Sequence, residues 1–135
     1  MTTETIDLTA VIRNFKVDQG KSQTVPFAIS RNGVPLDMSA TGWSARLVVR
    51  DGYTGQVIIN ATDTNSKLLW VAKSTGQLSW VLAPGDTSTA GNAKIVFKKD
   101  EDSKIYVYDL ELTSPLASVY CPCKGTLEIF PEATK

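Results

Sequence analysis

Apolar residues recur at every second position through much of residues 24–49, and this period of two constrains the fold more than any other feature. The alternating apolar residues are Val25, Phe27 and Ile29 in the first half, and Trp43, Ala45, Leu47 and Val49 in the second. Because successive side chains of a β-strand point to opposite faces of a sheet, the pattern predicts two half-buried strands. The Asn32-Gly33 pair between them predicts a turn.

Six further segments have the composition of strands and are separated by turn signals about every 8 to 12 residues. These segments are residues 56–61, 67–73, 77–82, 93–99, 105–113 and 125–130. Short strands at this spacing are typical of a sandwich or a barrel. We therefore expect an all-β fold: a single β-sandwich domain of about eight mainly antiparallel strands, immunoglobulin-like or related.

Proline and glycine mark the expected interruptions. Pro26 cannot donate to a strand ladder, so its strand should lie at a sheet edge or contain a bulge. Residues 84–86 (Pro-Gly-Asp) should end a strand, and residues 87–92 should form a loop or one helical turn. Residues 99–103 are charged and predict a hairpin tip, whereas residues 116–124 predict an irregular crossover before the last strand.

The N-terminal residues alternate in the same way, with apolar side chains at Ile6, Leu8, Ala10 and Ile12. We therefore divide the chain into an extended N-terminal arm, residues 1–16, and the β-sandwich domain, residues 17–135. Such an arm can pair within its own domain or add a strand to the sheet of a neighbouring subunit.

The charge balance argues against two classes of partner. The chain has 14 basic and 14 acidic residues, so it offers no electrostatic footprint for nucleic acid or for an anionic membrane surface. No apolar run approaches the ~20 residues that span a bilayer, so we expect no membrane insertion. The acidic N-terminus does not resemble a secretory signal peptide.

The residues that could carry catalysis are few. Since the chain contains no His, the Ser-His-Asp and Cys-His arrangements are excluded. Asp109 and Glu111 share one strand face at a spacing similar to that of a glycosidase pair. The neighbouring Ile105 and Val107 suggest no sugar cleft, so a solvated strand face is the better interpretation. We expect no catalytic residue, and therefore no enzyme.

Cys121 and Cys123 flank Pro122 and are the only cysteines. Strand geometry holds residues two apart beyond disulfide reach, so two free thiols are expected, as in a protein made in a reducing cytosol. A metal site would need two further ligands, and the chain has no His or other Cys to supply them. We expect no metal and no cofactor.

Most of the aromatic residues on strands lie on the apolar side, and we expect these in the core: Trp43, Trp80, Tyr106 and Tyr108. Tyr53 falls in a turn and Tyr120 in the expected crossover. These two are the candidate exposed aromatics, and either a protein partner or a glycan could contact them.

Two segments resemble the N-terminal domain of phage baseplate upper proteins. The first is VPFAISRNGVPLDMSATGWSARLVV, residues 25–49, where a strand, a polar turn with Gly and a Pro-Leu-Asp-Met-Ser connection lead to a second strand. The second is GQLSWVLAPGDTSTAGNAKIVF, residues 76–97, where two alternating strands enclose a loop. With the strand at residues 105–112, the resemblance extends over most of residues 5–130.

The resemblance implies a structural role. Domains of that family are β-sandwiches that form trimers and attach receptor-binding tips to the tails of phages of Gram-positive bacteria. It implies a virion protein of the tail baseplate, made in the bacterial host cytoplasm, whose partners are further copies of itself and other tail proteins. Residues 1–16 would contact a neighbouring subunit or the tail body. The alternative is a carbohydrate-binding module that recognises a host cell-surface saccharide through Tyr53 and Tyr120.

Overall fold

The computed structural model describes residues 8–9, 14–52 and 55–131, and strands dominate it. The strands are β1 (Leu8–Thr9), β2 (Asn14–Asp18), β3 (Gln23–Ala28), β4 (Ser30–Arg31), β5 (Val34–Pro35), β6 (Ser44–Arg50), β7 (Val57–Thr62), β8 (Leu68–Ala72), β9 (Gln77–Leu82), β10 (Lys104–Thr113) and β11 (Val119–Phe130). A 3-10 turn (Lys73–Thr75) and one α-helical turn, α1 (Pro84–Thr87), complete the secondary structure of the described part.

The strands form two large sheets and one small one. The five-stranded sheet has the order β2-β11-β10-β6-β7. The larger of the two sheets with three strands has the order β3-β9-β8 and is called the three-stranded sheet below. The small sheet consists of three two-residue strands in the order β1-β4-β5. All pairings are antiparallel except that between β2 and β11. The prediction of an all-β, sandwich-like domain of mainly antiparallel strands is confirmed.

Alternate residues of both large sheets meet in one core. On β9, Leu78, Trp80 and Leu82 are buried, and β10 contributes Tyr106, Tyr108, Leu110 and Leu112. The core placement of Trp80, Tyr106 and Tyr108 is thus confirmed, and Trp43 is half-buried against the same core. Phe15 joins the two sheets, because its ring lies 5.5 Å from that of Tyr108 and 6.2 Å from that of Trp80.

One core hydroxyl has no hydrogen-bond partner among the described residues. The oxygen of Tyr106 is buried and unpaired, and the whole residue is inaccessible to solvent. Burial raises the pKa of Tyr106 to about 12, and the negative charges of Asp51 and Glu101 add to the effect. The phenol therefore stays neutral over the ordinary pH range.

The two alternating strands predicted in residues 24–49 exist, but they belong to different sheets. The first is β3, which pairs with β9, and the second is β6, which lies between β10 and β7. The turn between them closes the short β4–β5 hairpin, where Asn32 and Gly33 have φ angles of 51° and 81°. Two successive positive φ angles are the signature of a type I′ hairpin turn, which Asn-Gly favours.

The prediction of a strand at residues 93–99 is wrong. Ile95 is fully buried, Val96 is exposed and Phe97 is half-buried, so the alternation holds over these three residues, whereas Ala93 is exposed. However, the N–H of Ile95 binds the carbonyl of Asn92 at 3.1 Å in a local turn, and the segment forms no strand ladder. Alternating burial here reflects a loop that packs one side chain into the core. A turn lies at residues 99–100, where Asp100 has a φ of 69°, but it is not the hairpin tip predicted at residues 99–103, because no strand precedes it to pair with β10.

The crossover predicted at residues 116–124 is also wrong, because β10 and β11 form a hairpin. A tight turn joins them, in which the N–H of Ser114 donates to the carbonyl of Ser118 at 2.8 Å. The pairing shifts between Leu110 and Leu112, so Pro122 falls in a bulge of β11. A bulge leaves one residue outside the ladder, which suits a residue without an N–H. The proline therefore interrupts the pattern without ending the strand.

The other predictions concern the strand of Pro26, the helical turn after β9, the N-terminal arm and membrane insertion. Pro26 lies on β3, which is an edge strand as predicted. The helical turn α1 begins at Pro84, slightly before the expected loop. In the expected arm, residues 1–16, the strand β1 (Leu8–Thr9) pairs with β4. The expected boundary at residue 16 falls inside β2, which pairs with β11. Residues 1–7 and 10–13 lie outside the described residues. No helix of the described residues has the length and apolarity needed to cross a membrane.

Candidate functional site

The two tyrosines proposed as contact residues differ in what can be said of them. Tyr53 lies outside the described residues. Tyr120 lies on β11 opposite Leu112, where it is half-buried and packs against the core. Its role as a contact residue stays a prediction, and a ring in that position offers only part of its surface to a partner.

Asp109 and Glu111 lie on the outer face of the five-stranded sheet, and both are half-buried. The strand register places Asp109 between Lys124 of β11 and Val48 of β6. Glu111 lies opposite Arg46 in the next row. Each carboxylate therefore has a basic residue as a cross-strand neighbour, although neither forms an ion pair with it among the described residues.

A shallow depression of about 240 Å³ opens on this outer face. Its lining residues are Val48, Arg50, Val107, Tyr108, Asp109, Cys121 and Lys124. From the sequence, Asp109 is paired with Glu111, Val107 argues against a sugar cleft, and Cys121 is a free thiol. No sequence signal brings these three together with Val48, Arg50 and Lys124. Their grouping depends on β10, β11 and β6 lying side by side, which the expected crossover at residues 116–124 concealed.

The thiol of Cys121 lies at the rim of the depression. Both cysteines are free, and the Cys121 sulfur is 3.6 Å from the carbonyl oxygen of Cys123. Burial raises the pKa of the Cys121 thiol, and the carboxylates of Asp109 and Glu111 raise it further. The thiol is therefore protonated at neutral pH and is a weak nucleophile. Within the described residues, no three Asp, Glu or Cys side chains cluster in a way that could hold a metal ion.

The outer face of the three-stranded sheet has a different character, and we call it the uncharged face. It consists of the outward residues of β3, β9 and β8: Thr24, Pro26, Ala28, Gln77, Ser79, Val81, Leu69 and Val71. None of these side chains carries a charge. Leu69 and Val71 are 47% and 61% exposed, and a second depression of about 170 Å³ lies beside Val71, Pro26 and Ala28.

The sequence contains one signal for this face. In β3 and β9 the outward positions alternate with core residues as usual, but they are small or uncharged where Lys, Glu or Arg are common. In residues 67–73 the apolar run is continuous, so it did not indicate which of its side chains face solvent. Leu69 and Val71 are identified as exposed only once β8 is known to pair with β9.

Two outer faces of opposite character therefore stand out in the described part of the chain. The five-stranded sheet presents charged residues around a depression, and the three-stranded sheet presents uncharged residues with two exposed aliphatic side chains. No protein-family model matches the chain, and no curated protein matches it.

Proposed function

We propose that this chain is a non-enzymatic structural protein of a phage virion, a component of the tail baseplate that connects the tail body to the receptor-binding apparatus. It would be made in the bacterial host cytoplasm and assemble with copies of itself, as a homotrimer, and with other tail proteins. The resemblance of residues 25–49 and 76–97 to baseplate upper proteins supports this assignment. The all-β sandwich-like fold is consistent with it.

The uncharged face is the observation that carries the proposal. Interfaces between proteins are depleted of charged side chains at their centres, and exposed aliphatic groups in a contiguous patch indicate a contact surface. Leu69 and Val71 project from neighbouring positions of β8, and Pro26 and Ala28 extend the same surface across β3. Burial of Leu69 and Val71 alone would contribute on the order of 2 kcal/mol to association.

The structure favours contact through the face over contact through the open edge of β8. Lys67 and Lys73 lie immediately before and after β8; Lys67 is held in an ion pair with Asp86, so Lys73 is the lysine that discourages pairing of this edge with other chains. The ammonium group of Lys73 also lies 5.1 Å from the centre of the Trp70 ring, which holds it near the edge. A partner that packs flat against the sheet meets no such obstacle.

The test introduces charge on the uncharged face of the full chain. The double substitution Leu69→Lys with Val71→Lys should abolish self-association, measured by light scattering, and binding to the tail proteins encoded by the same genome, measured by co-purification. Ile105→Lys is the matched control, since Ile105 is 59% exposed on the outer face of the other sheet. Both variants should unfold close to the wild-type temperature, because surface substitutions usually change stability by under about 0.5 kcal/mol.

Two outcomes would count against the proposal, at different levels. If the double variant assembles as well as the Ile105→Lys control, the uncharged face is not the interface. If the wild-type chain is monomeric and binds none of the tail proteins, the role in the baseplate is wrong.

A further inference from the structure

Val48 occupies an unusual place on the outer face of the five-stranded sheet. Its neighbours Leu47 and Val49 belong to the core, so Val48 points away from the core, yet it is only 3% exposed. Long side chains around it must therefore cover it from the solvent side. Val48 and Val107 together give the depression an apolar floor beneath a polar rim.

Three charged side chains of the rim have no partner among the described residues. Arg50, Asp109 and Lys124 line the depression, and none of them makes a side-chain hydrogen bond or an ion pair with another described residue. Arg46, two residues before Val48 on the same face, differs because its Nε donates to Oδ1 of Asn60 at 3.2 Å. The hydrogen-bonding capacity of the three rim residues is therefore available to a ligand.

The chemistry of these groups restricts that ligand. Guanidinium and ammonium groups only donate hydrogen bonds, whereas an ionised carboxylate only accepts them. A matching ligand presents an anionic group to Arg50 and Lys124, hydroxyl donors to Asp109, and an apolar C–H surface to the two valines. A volume of about 240 Å³ is smaller than the usual pocket for a drug-sized ligand, and it suits one six-membered ring.

We propose that this depression binds a single saccharide unit that carries an anionic substituent, phosphate or carboxylate. The anion lies between Arg50 and Lys124, and the ring hydroxyls donate to Asp109. This goes beyond the structural role proposed above, and it uses residues other than Tyr53 and Tyr120. A simple inorganic anion fits less well because Asp109 repels it, and a metal ion fits less well because two of the three rim groups are cations.

The first experiment is an NMR titration of the isotope-labelled full chain with glucose 6-phosphate. Saturable amide shifts should centre on Val48, Asp109 and Lys124, with a dissociation constant on the order of 1 mM, typical of a few polar contacts. Neutral glucose and inorganic phosphate are the comparison probes. Glucose lacks the anionic group, and inorganic phosphate lacks the sugar ring and its hydroxyls. Each should bind about tenfold more weakly than glucose 6-phosphate, which is the loss expected when a charged hydrogen bond is not made.

Two variants and one matched control test the residues. Arg50→Gln should weaken glucose 6-phosphate binding about tenfold or more. Asp109→Asn should weaken it by a smaller factor, because losing the charged acceptor of the ring hydroxyls is partly offset by losing the repulsion between Asp109 and the phosphate. Glu111→Gln is the control, since Glu111 lies on the same strand and face as Asp109 but does not line the depression. Its affinity should equal that of the wild type, and all three variants should keep the wild-type pattern of amide shifts elsewhere.

Three results would each overturn the proposal. Equal binding of inorganic phosphate and glucose 6-phosphate would show an anion site without sugar recognition. Equal loss of affinity in Glu111→Gln and Asp109→Asn would show a general electrostatic effect of the face. Amide shifts that do not saturate, or that centre outside the depression, would show that the site does not exist. None of these results bears on the uncharged face, so the two proposals fail separately.

Discussion

Asn92 holds the loop between β9 and β10 against the rest of the domain, and its replacement should measurably destabilise the fold. Its Nδ2 donates to the carbonyl of Ile58 on β7 at 2.9 Å and to the carbonyl of Asp86 at 3.0 Å. Its Oδ1 accepts from the N–H of Lys94 at 3.2 Å. One half-buried amide therefore ties α1, the loop and the edge of the five-stranded sheet together.

The magnitude follows from these three hydrogen bonds. Asn92→Ala removes all of them and leaves the carbonyls of Ile58 and Asp86 without these donors. At about 1 kcal/mol for each bond, discounted because water reaches part of the site, the loss is about 2 kcal/mol. The entropy of unfolding of a 135-residue chain is about 0.28 kcal/mol/K, so the melting temperature should fall by about 7 °C.

The assay is chemical denaturation and calorimetry of the full chain, with Asn60→Ala as the control. Asn60 is exposed on β7, and its side chain accepts one hydrogen bond, from Arg46, so its loss should cost under about 0.5 kcal/mol. Equal destabilisation by the two substitutions would refute the reasoning, because the half-buried bridge would then be worth no more than a surface contact.

Asn92→Asp provides a second check with a predicted dependence on pH. Replacing Nδ2 by oxygen places two acceptors about 3 Å apart where a donor is required, so the carboxylate form should be less stable than Asn92→Ala. The protonated acid can donate once, so its pKa in the folded state should exceed the unfolded value of about 3.9. The variant should therefore be most stable below that value, and should lose stability as the pH rises through its folded-state pKa.

Two further pairs of substitutions test the packing. A Cβ at Gly91 would lie 2.4 Å from the carbonyl oxygen of Gly85, so Gly91→Ala should lower the free energy of unfolding by about 1–3 kcal/mol. A Cβ at Gly85 has its nearest contact at 3.9 Å, so Gly85→Ala should be neutral in urea denaturation. Equal losses of stability would contradict the described loop. Tyr106→Phe removes an unpaired buried hydroxyl and should be neutral or stabilising, whereas Tyr108→Phe removes a contact with the sulfur of Cys123 at 3.6 Å and should not stabilise. Burial raises the pKa of Tyr106 to about 12, so the wild type should lose stability as the pH rises from about 10 to 12. Tyr106→Phe should remove part of that loss. If the substitution leaves the dependence of stability on pH unchanged, the phenol does not titrate as described.

The sequence predicted the strands well wherever alternation and pairing coincide. The segment 77–82 is β9 with its predicted bounds, and 105–113 is β10 with one residue added. The period of two reports which side chains are buried, and it carries no information on whether the backbone finds a neighbouring strand. Residues 93–99 show the difference, since Ile95 is fully buried from a loop. Long-range partners cannot be deduced from local pattern, so the assignment of β3 and β6 to different sheets needed the structure.

The candidate site was less accessible to sequence reasoning for a related reason. Arg50, Asp109 and Lys124 are far apart in the chain and meet only because three strands align in one register. Pro122 concealed one of these strands, since a proline in a bulge has the same local signature as a proline that ends a strand. The uncharged face became apparent only when the outward residues of three strands were assembled.

The parallel pairing of β2 with β11 has a consequence for the order in which the domain can form. Asn14 and Thr126 are partners in that pairing and are separated by 112 residues. On the ribosome, β2 is synthesised early, but it can pair with β11 only after almost the whole domain has been synthesised. Phe15, which joins the two sheets, can pack into the core only at the same stage. Such non-local closure slows folding, so the nascent chain exposes apolar surface for longer than one built from local hairpins.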